Sequence, residues 1–164
     1  MDREPMTLFG YERLQAEVKE LKEVKRPAVV KAIEEALEHG DLKENAEYHA
    51  AKEQQKNIDA RLAELSDILG KAQIVDPSEL EHARVSFGST VVMTDLDTDE
   101  EVTYTIVGAS ESNPEMGLIS FNSPLAKQLL GKEEGDEVKV RLPGGEKEFE
   151  IEEVKYQEIV FETH

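Results

Sequence analysis

Asp41 and Glu44, two carboxylates three residues apart, have the spacing in this chain best suited to chemistry. They lie in the stretch 39–49, which reads His-Gly-Asp-Leu-Lys-Glu-Asn-Ala-Glu-Tyr-His and separates two long helical patterns. Proteins usually hold Mg²⁺ with one or two carboxylates, and water and substrate phosphates complete its coordination. An exposed pair would therefore bind the ion weakly alone, but it could complete a metal site whose other ligands belong to a partner macromolecule.

The same pair also has a structural interpretation, which the sequence leaves open. Asp41 at a helix N-cap with Glu44 three residues later forms a capping box, which stabilises a helix by about 1 kcal/mol. However, the preceding helix end is also acidic, although carboxylates are unfavourable at a helix C-terminus. The acidic residues gathered around this turn are Glu34, Glu35, Glu38, Asp41, Glu44 and Glu47. A local rule broken without structural gain is typical of a functional site.

Two helices must carry this acidic turn. The second shows a heptad seam, and its members are Tyr48, Ala51, Gln55, Ile58, Leu62, Leu65 and Leu69. The first shows a looser stripe, made of Leu14, Val18, Leu21, Ala28, Val30, Ile33 and Leu37. Pro27 should kink or interrupt the first helix, and Gly40 suits the left-handed position beyond its end. The short turn makes the helices antiparallel, so we predict a coiled-coil hairpin about 45 Å long.

After Pro77 the apolar residues recur at every second position, which indicates short strands. The predicted strands cover residues 90–93, 102–107, 118–121, 138–142 and 149–151, and the turn Pro143-Gly144-Gly145 joins the last two. One short helix interrupts them, with Ser123 as N-cap, Pro124 as first residue and Gly131 beyond its end. We therefore predict an α+β protein: a hairpin over residues 1–77 with its tip at 39–47, an antiparallel-sheet domain over 78–158, and a tail over 159–164.

Composition narrows the possible functions. The net charge is −18, divided as −5 over residues 1–77 and −13 over residues 78–164, which argues against a broad basic surface for nucleic acid. There is no cysteine, so disulfides and thiol chemistry are excluded. His39 and His49 flank the acidic turn without a compact zinc-ligand spacing. The stretch from Asp95 to Asp99 fails as a calcium loop, because Glu100 and Ile106 replace the required Gly and Glu. No apolar run approaches membrane-spanning length, and we expect a cytoplasmic, monomeric protein.

Several runs of this sequence resemble the GreA/GreB family of bacterial transcription elongation factors. They are Gly40–Gln54, Ala72–Asp76, Phe87–Val91, Ile119–Pro124, Pro143–Glu146 and Phe149–Ile151, and together they span nearly the whole chain. The resemblance implies that the C-terminal domain is FKBP-like and anchors the protein to RNA polymerase, with Asn122, Ser123 and Pro124 at the contact. It also implies that the coiled coil enters the polymerase's secondary channel.

The resemblance further implies an activity. Asp41 and Glu44 would help to hold a second Mg²⁺, shared with the polymerase active site, so that the polymerase cleaves the RNA 3′ segment of a backtracked complex. Lys43, Tyr48 and Lys52 would contact that RNA 3′ end, although a solvated helix face explains the lysines, and a seam position explains Tyr48, equally simply. The protein itself would be a cofactor protein rather than an enzyme, with no tightly bound cofactor of its own.

Two other functions stay open at this stage. FKBP-like folds can catalyse prolyl isomerisation, although the C-terminal half has no tryptophan and few aromatic residues for a proline pocket. An inhibitor that plugs the polymerase channel could share the same architecture. The Asp-Leu-Lys-Glu sequence at 41–44 favours the cleavage factor over the plug, and the effect on stalled transcription separates them.

Overall fold

The computed structural model describes residues 3–40 and 44–161. It divides into two compact units, one over residues 11–72 and one that joins residues 3–10 to residues 73–161. The sequence placed the boundary at residue 77, whereas the contacts place it after Ala72 and give the first residues of the chain to the second unit. Within the described ranges, no helix is both long and apolar enough to cross a membrane.

The first arm of the hairpin is helical but not uniformly α-helical. It consists of α1 (Leu8–Glu20), a π-helical turn (Leu21–Lys25) and α2 (Arg26–Leu37). In the π-helical turn the amide of Arg26 donates to the carbonyl of Leu21, five residues earlier. The predicted interruption at Pro27 is confirmed, because proline lacks an amide donor and its ring clashes with the carbonyl four residues before it. A π-helical turn just before the proline widens the helix where that clash would occur.

This π-helical turn shifts the buried face of the first arm by one residue. The buried seam of the first arm consists of Leu14, Leu21, Val29 and Ala36. The spacing is seven residues before the turn, eight across it and seven after it. Beyond Leu21 the looser stripe predicted from sequence is therefore wrong at Ala28, Val30 and Leu37, which are exposed, whereas Ile33 is half-buried as predicted. An extra residue in a helix rotates the remaining positions relative to a strict heptad count.

The second arm is the single helix α3 (Ala46–Lys71), and its heptad prediction is confirmed. Ala51, Ile58 and Leu65 are buried at intervals of seven, and the other seam positions are half-buried. Among the described residues, Glu17 of the first arm forms an ion pair with Arg61 of the second, and Arg26 forms one with Asp59. The pair with the higher residue number in the first arm has the lower residue number in the second, so the arms are antiparallel as predicted.

Residues 3–10 belong to the second unit because they pair and pack with it. Strand β1 (Glu4–Met6) pairs with β2 (Ala72–Ile74). The amide of Thr7 donates to Oε1 of Glu111 at 2.8 Å, while the other Glu111 oxygen, Oε2, is buried without a hydrogen-bond partner. Burial raises the pKa of Glu111, because desolvation disfavours its charged form. A side chain at Gly10 would collide with this carboxyl group, which accounts for glycine within α1.

The larger sheet of the second unit is built from five strands. They are β3 (Thr90–Asp95), β4 (Glu101–Val107), β5 (Leu118–Ser120), β6 (Glu137–Leu142) and β7 (Gly145–Lys155), in the spatial order β5-β4-β3-β7-β6. All neighbours are antiparallel except β4 and β5, which are parallel. The predicted α+β class and antiparallel character hold, and this parallel edge is the exception.

Helix α4 (Pro124–Leu129) covers one face of this sheet. Its Ala126 and Leu129 are fully buried in one cluster with strand residues such as Ile106 and Val140. Ser123 caps the helix by accepting a hydrogen bond from the amide of Ala126, and Gly131 has a φ of +85° just beyond its end. Both features were predicted from the Ser-Pro start and the glycine stop. The first residues of α4 are thereby held at the edge of a packed core.

Candidate functional site

The acidic tip begins where α2 ends. The amide of His39 donates to the carbonyl of Ala36 at 3.1 Å, and Gly40 has the predicted left-handed conformation, with a φ of +101°. Glu34, Glu35 and Glu38 are exposed in these last turns. The last turn of α2 contains no basic residue to offset them. Negative charge is therefore concentrated at the negative end of the helix dipole, where it costs free energy.

The residue that starts α3 is Asn45. Its side-chain oxygen accepts a hydrogen bond from the amide of Tyr48 at 3.0 Å, and its backbone carbonyl accepts one from the amide of His49 at 3.2 Å. The capping-box interpretation of Asp41 and Glu44 is therefore wrong, because the helix begins at Ala46 and Glu44 precedes its cap. Asparagine is among the strongest N-cap residues, so an Asn directly before the apolar seam could have indicated this start.

Asn45 also joins the two arms. Its Nδ2 donates to the carbonyl of Ala36 at 2.7 Å, across nine residues of chain. Ala36 is buried on the seam, and its carbonyl is one of the last four of α2, which have no partner within the helix. One side chain thus caps α3 and adds a second hydrogen bond to the Ala36 carbonyl, which also accepts from the amide of His39. This function of Asn45 was not predicted from the sequence.

Glu44 is exposed at the turn, immediately before Asn45. It lines a shallow groove together with His39, Asn45, Ala46 and Glu47. Asp41 and Lys43, the other tip residues predicted to act, lie outside the described residues. Within the parts of the chain that the structure describes, no three or more His, Asp or Glu side chains form a cluster able to hold a metal ion. Glu44 is an oxygen donor of the type that Mg²⁺ prefers, and it fits a ligand set completed from elsewhere.

The basic and aromatic candidates lie on the first turns of α3. Tyr48 is half-buried on the seam, and its ring lies edge-on to that of His49 with centroids 5.5 Å apart. Lys52 is exposed, and its Nζ is 3.5 Å from the side-chain oxygen of Gln55. Lys52 and Lys56 line one surface groove with acidic neighbours, among them Asp59. Both lysines are therefore available to an anionic ligand that approaches along the helix.

The remaining candidates lie at the start of α4. Asn122 is exposed, and its side-chain oxygen accepts a hydrogen bond from the hydroxyl of Ser120. Pro124 is also exposed, at the first position of the helix. Ser123 is half-buried and is used as the cap, with its Oγ 3.2 Å from the amide of Ala126. Asn122 and Pro124 are therefore exposed, whereas the side chain of Ser123 is occupied as the helix cap.

Comparison with known protein families matches both units. Residues 4–74 match the model described as "Transcription elongation factor, N-terminal", and residues 80–156 match "Transcription elongation factor, GreA/GreB, C-term". Transcription elongation factor GreA of a Nitratiruptor species is 62% identical over 160 residues, which cover 98% of each chain. The protein of that name from Helicobacter pylori (strain Shi470) is 57% identical over 164 residues and 100% of each chain.

Among solved structures, the transcription factor Gfh1 is similar at 31% identity and a TM-score of 0.45, over 94% of this chain and 99% of that one. The two family matches, on a hairpin with an acidic turn and on the sheet unit joined to it, define a transcription elongation factor. Given the sequence identity along its whole length, the chain belongs to the GreA/GreB family.

Proposed function

We propose that this factor binds RNA polymerase, inserts its coiled coil into the secondary channel and stimulates the polymerase's own cleavage of backtracked RNA, which rescues arrested complexes. The observation that carries the proposal is the position of Glu44. It is exposed at the turn and is not needed to cap α3, because Asn45 performs that task. A carboxylate that is not needed for helix capping, at the end of two long helices, is suited to complete another protein's active site.

The carboxylates of Asp41 and Glu44 would hold a second Mg²⁺ jointly with the polymerase. When bound, such an ion activates and orients water for in-line attack on a phosphodiester. One or two exposed carboxylates hold Mg²⁺ only when other ligands complete the site, so we expect no cleavage of RNA by this protein alone. The chain's own contribution is to carry the two carboxylates and to keep them fixed relative to the helices.

The other predicted residues have separate tasks in this proposal. Lys43 and Lys52 would attract the RNA phosphates, and Tyr48 would contact the RNA 3′ end. Asn122 and Pro124 would contact the polymerase, and Ser123 would hold that contact in place through its cap. The less acidic half of the protein would thus meet the transcript, in agreement with its smaller net charge. The monomeric state stays a prediction.

The test uses halted elongation complexes with radiolabelled transcript. The wild-type factor should shorten the RNA in a Mg²⁺-dependent manner. Asp41→Asn and Glu44→Gln should each slow that shortening roughly 100-fold, as loss of one aligned catalytic group commonly does, and leave polymerase binding unchanged. Glu20→Gln is a matched control, because Glu20 is exposed on α1 far along the chain from the tip.

Two results would contradict the proposal. If both tip variants shorten RNA at the wild-type rate, the carboxylates have no part in cleavage. If the wild-type factor slows the shortening that the polymerase performs unaided, the protein is a channel-plugging inhibitor instead.

A further inference from the structure

Asn45 is the described side chain that connects the end of α2 to the start of α3. It makes two side-chain hydrogen bonds in opposite senses, accepting from Tyr48 at 3.0 Å and donating to Ala36 at 2.7 Å. Ser, Thr and Asp cap helices about as well as Asn does. None of them, however, carries an amide NH₂ group, and an ionised Asp is an acceptor only. The second hydrogen bond therefore explains why this position holds asparagine.

We propose that Asn45 is a positioning residue for RNA cleavage: it fixes the direction in which Glu44 leaves the helix by fastening the start of α3 to the end of α2. The inference rests on the proposed function and adds a residue to it. Glu44 is bonded directly to Asn45 along the chain and has an exposed side chain. The hydrogen bond to Ala36 therefore determines its placement through the backbone.

The buried partner makes this connection rigid. Ala36 is 2% exposed, and its carbonyl accepts from both Asn45 and the amide of His39. Catalytic side chains lose activity steeply when they shift, and a misplacement of about 1 Å can cost roughly 100-fold in rate. Removal of the Asn45–Ala36 hydrogen bond should therefore reduce cleavage even though α3 remains capped.

The decisive variant is Asn45→Asp, which keeps the cap and removes the donor. Its carboxylate would face the carbonyl oxygen of Ala36 and turn away from it, since both groups only accept hydrogen bonds. Asn45→Ser keeps a good cap and replaces the amide donor with a shorter hydroxyl group, without added charge. The matched control is Asn57→Asp, which adds the same charge at an exposed position of the same helix. We expect both variants at position 45 to slow cleavage roughly 10- to 100-fold at saturating factor and to bind polymerase within about twofold of wild type. Asn57→Asp should match wild type in both.

A second measurement separates this inference from the proposed function. In the ¹⁵N-labelled full chain, the heteronuclear NOE at the amide of Glu44 reports how tightly the turn is held on the picosecond to nanosecond scale. Asn45→Asp should lower that NOE and leave the values at Ile58 and Leu65 unchanged, while Asn57→Asp should alter none of them.

Each outcome bears on one of the two ideas. An unchanged Glu44 NOE in Asn45→Asp overturns the inference whatever the cleavage assay shows. A lowered NOE with wild-type cleavage overturns it as well, because the fixed turn would then have no part in the reaction. A wild-type factor that never shortens RNA refutes the proposed function instead, and the NOE comparison still decides whether Asn45 fixes the turn.

Discussion

Arg61 on α3 binds Glu17 on α1 through two hydrogen bonds, from Nε at 2.6 Å and from Nη2 at 2.9 Å. Both side chains are just over a third exposed. The paired geometry lowers the pKa of Glu17, mainly through the hydrogen bond from Arg61. A planar guanidinium group matches a carboxylate in this way and an ammonium group does not. The pair therefore holds the two arms together and also fixes their register.

Replacing Arg61 with lysine should test that register. We expect Arg61→Lys to lower the free energy of unfolding by about 0.5–1 kcal/mol, the upper part of the range for exposed ion pairs. Arg26→Lys is the matched control, because Arg26 makes one hydrogen bond to Asp59 and both partners are nearly half exposed. Urea unfolding followed by circular dichroism at low and high salt measures both, and equal losses would show that the paired geometry adds nothing.

The one-residue shift after the π-helical turn gives a second prediction. Val29 is 3% exposed and its neighbour Val30 is 38% exposed. Val29→Ala should cost about 1–2 kcal/mol of unfolding free energy, because it leaves a cavity in the seam. Val30→Ala should stay within about 0.5 kcal/mol of wild type. A larger cost at Val30 than at Val29 would mean that the first arm packs through Val30, as the stripe read from the sequence predicted.

The buried carboxyl of Glu111 should make stability depend on pH. Its pKa is raised by burial, so the folded state holds this proton to higher pH than the unfolded chain does. The stabilisation is complete below the ordinary glutamate pKa and is lost as pH rises through the raised value. Glu111→Gln cannot titrate but keeps an oxygen acceptor for Thr7. The stability of wild type relative to this variant should therefore fall as the pH rises from the ordinary glutamate pKa through the raised pKa of Glu111.

Thermal unfolding across that pH range measures the difference. Glu115→Gln, at an exposed position nearby in the chain, is the control and should show no such trend relative to wild type. A difference between wild type and Glu111→Gln that stays constant with pH would show that Glu111 keeps the same protonation in both states.

Two variants at the start of α4 should separate an effect on stability from an effect on binding. Ser123→Ala removes a cap and should cost about 1 kcal/mol of stability. Asn122→Ala alters an exposed residue and should change stability by less than about 0.5 kcal/mol, yet weaken binding to RNA polymerase several-fold. Chemical unfolding and a pull-down titration with polymerase measure the two effects. Wild-type affinity in Asn122→Ala would remove this residue from the proposed contact.

Local sequence patterns predicted those elements whose signals lie within a few residues. The heptad of α3 is continuous, so its buried face was predicted down to Ile58 and Leu65. Helix α4 was predicted because Ser123, Pro124 and Gly131 are start and stop signals with direct physical causes. Period-two alternation likewise located the five strands of the larger sheet, although β7 is 11 residues long where only residues 149–151 were predicted.

The features that the sequence did not predict depend on contacts between distant residues. Proline at position 27 predicted an interruption, but not the extra residue that moves burial from Ala28, seven residues after Leu21, to Val29. The parallel pairing of β5 with β4 depends on a crossover that no local pattern encodes. At the tip, the spacing of Asp41 and Glu44 is that of a capping box, whereas the residue that caps α3 is Asn45. Its bond to Ala36 depends on the return of the second arm.

The pairing of β1 with β2 and the Thr7–Glu111 hydrogen bond have a practical consequence for dissecting the protein. A fragment that starts at residue 73 would lose the partner of β2, and the carboxyl of Glu111 would lose both its donor and its cover. We expect such a fragment to fold poorly, so a loss of activity in it would not report on the function of the intact domain. An isolated second unit that folds as it does in the full chain must include the first ten residues. They can be added as a separate peptide or joined to the unit by circular permutation.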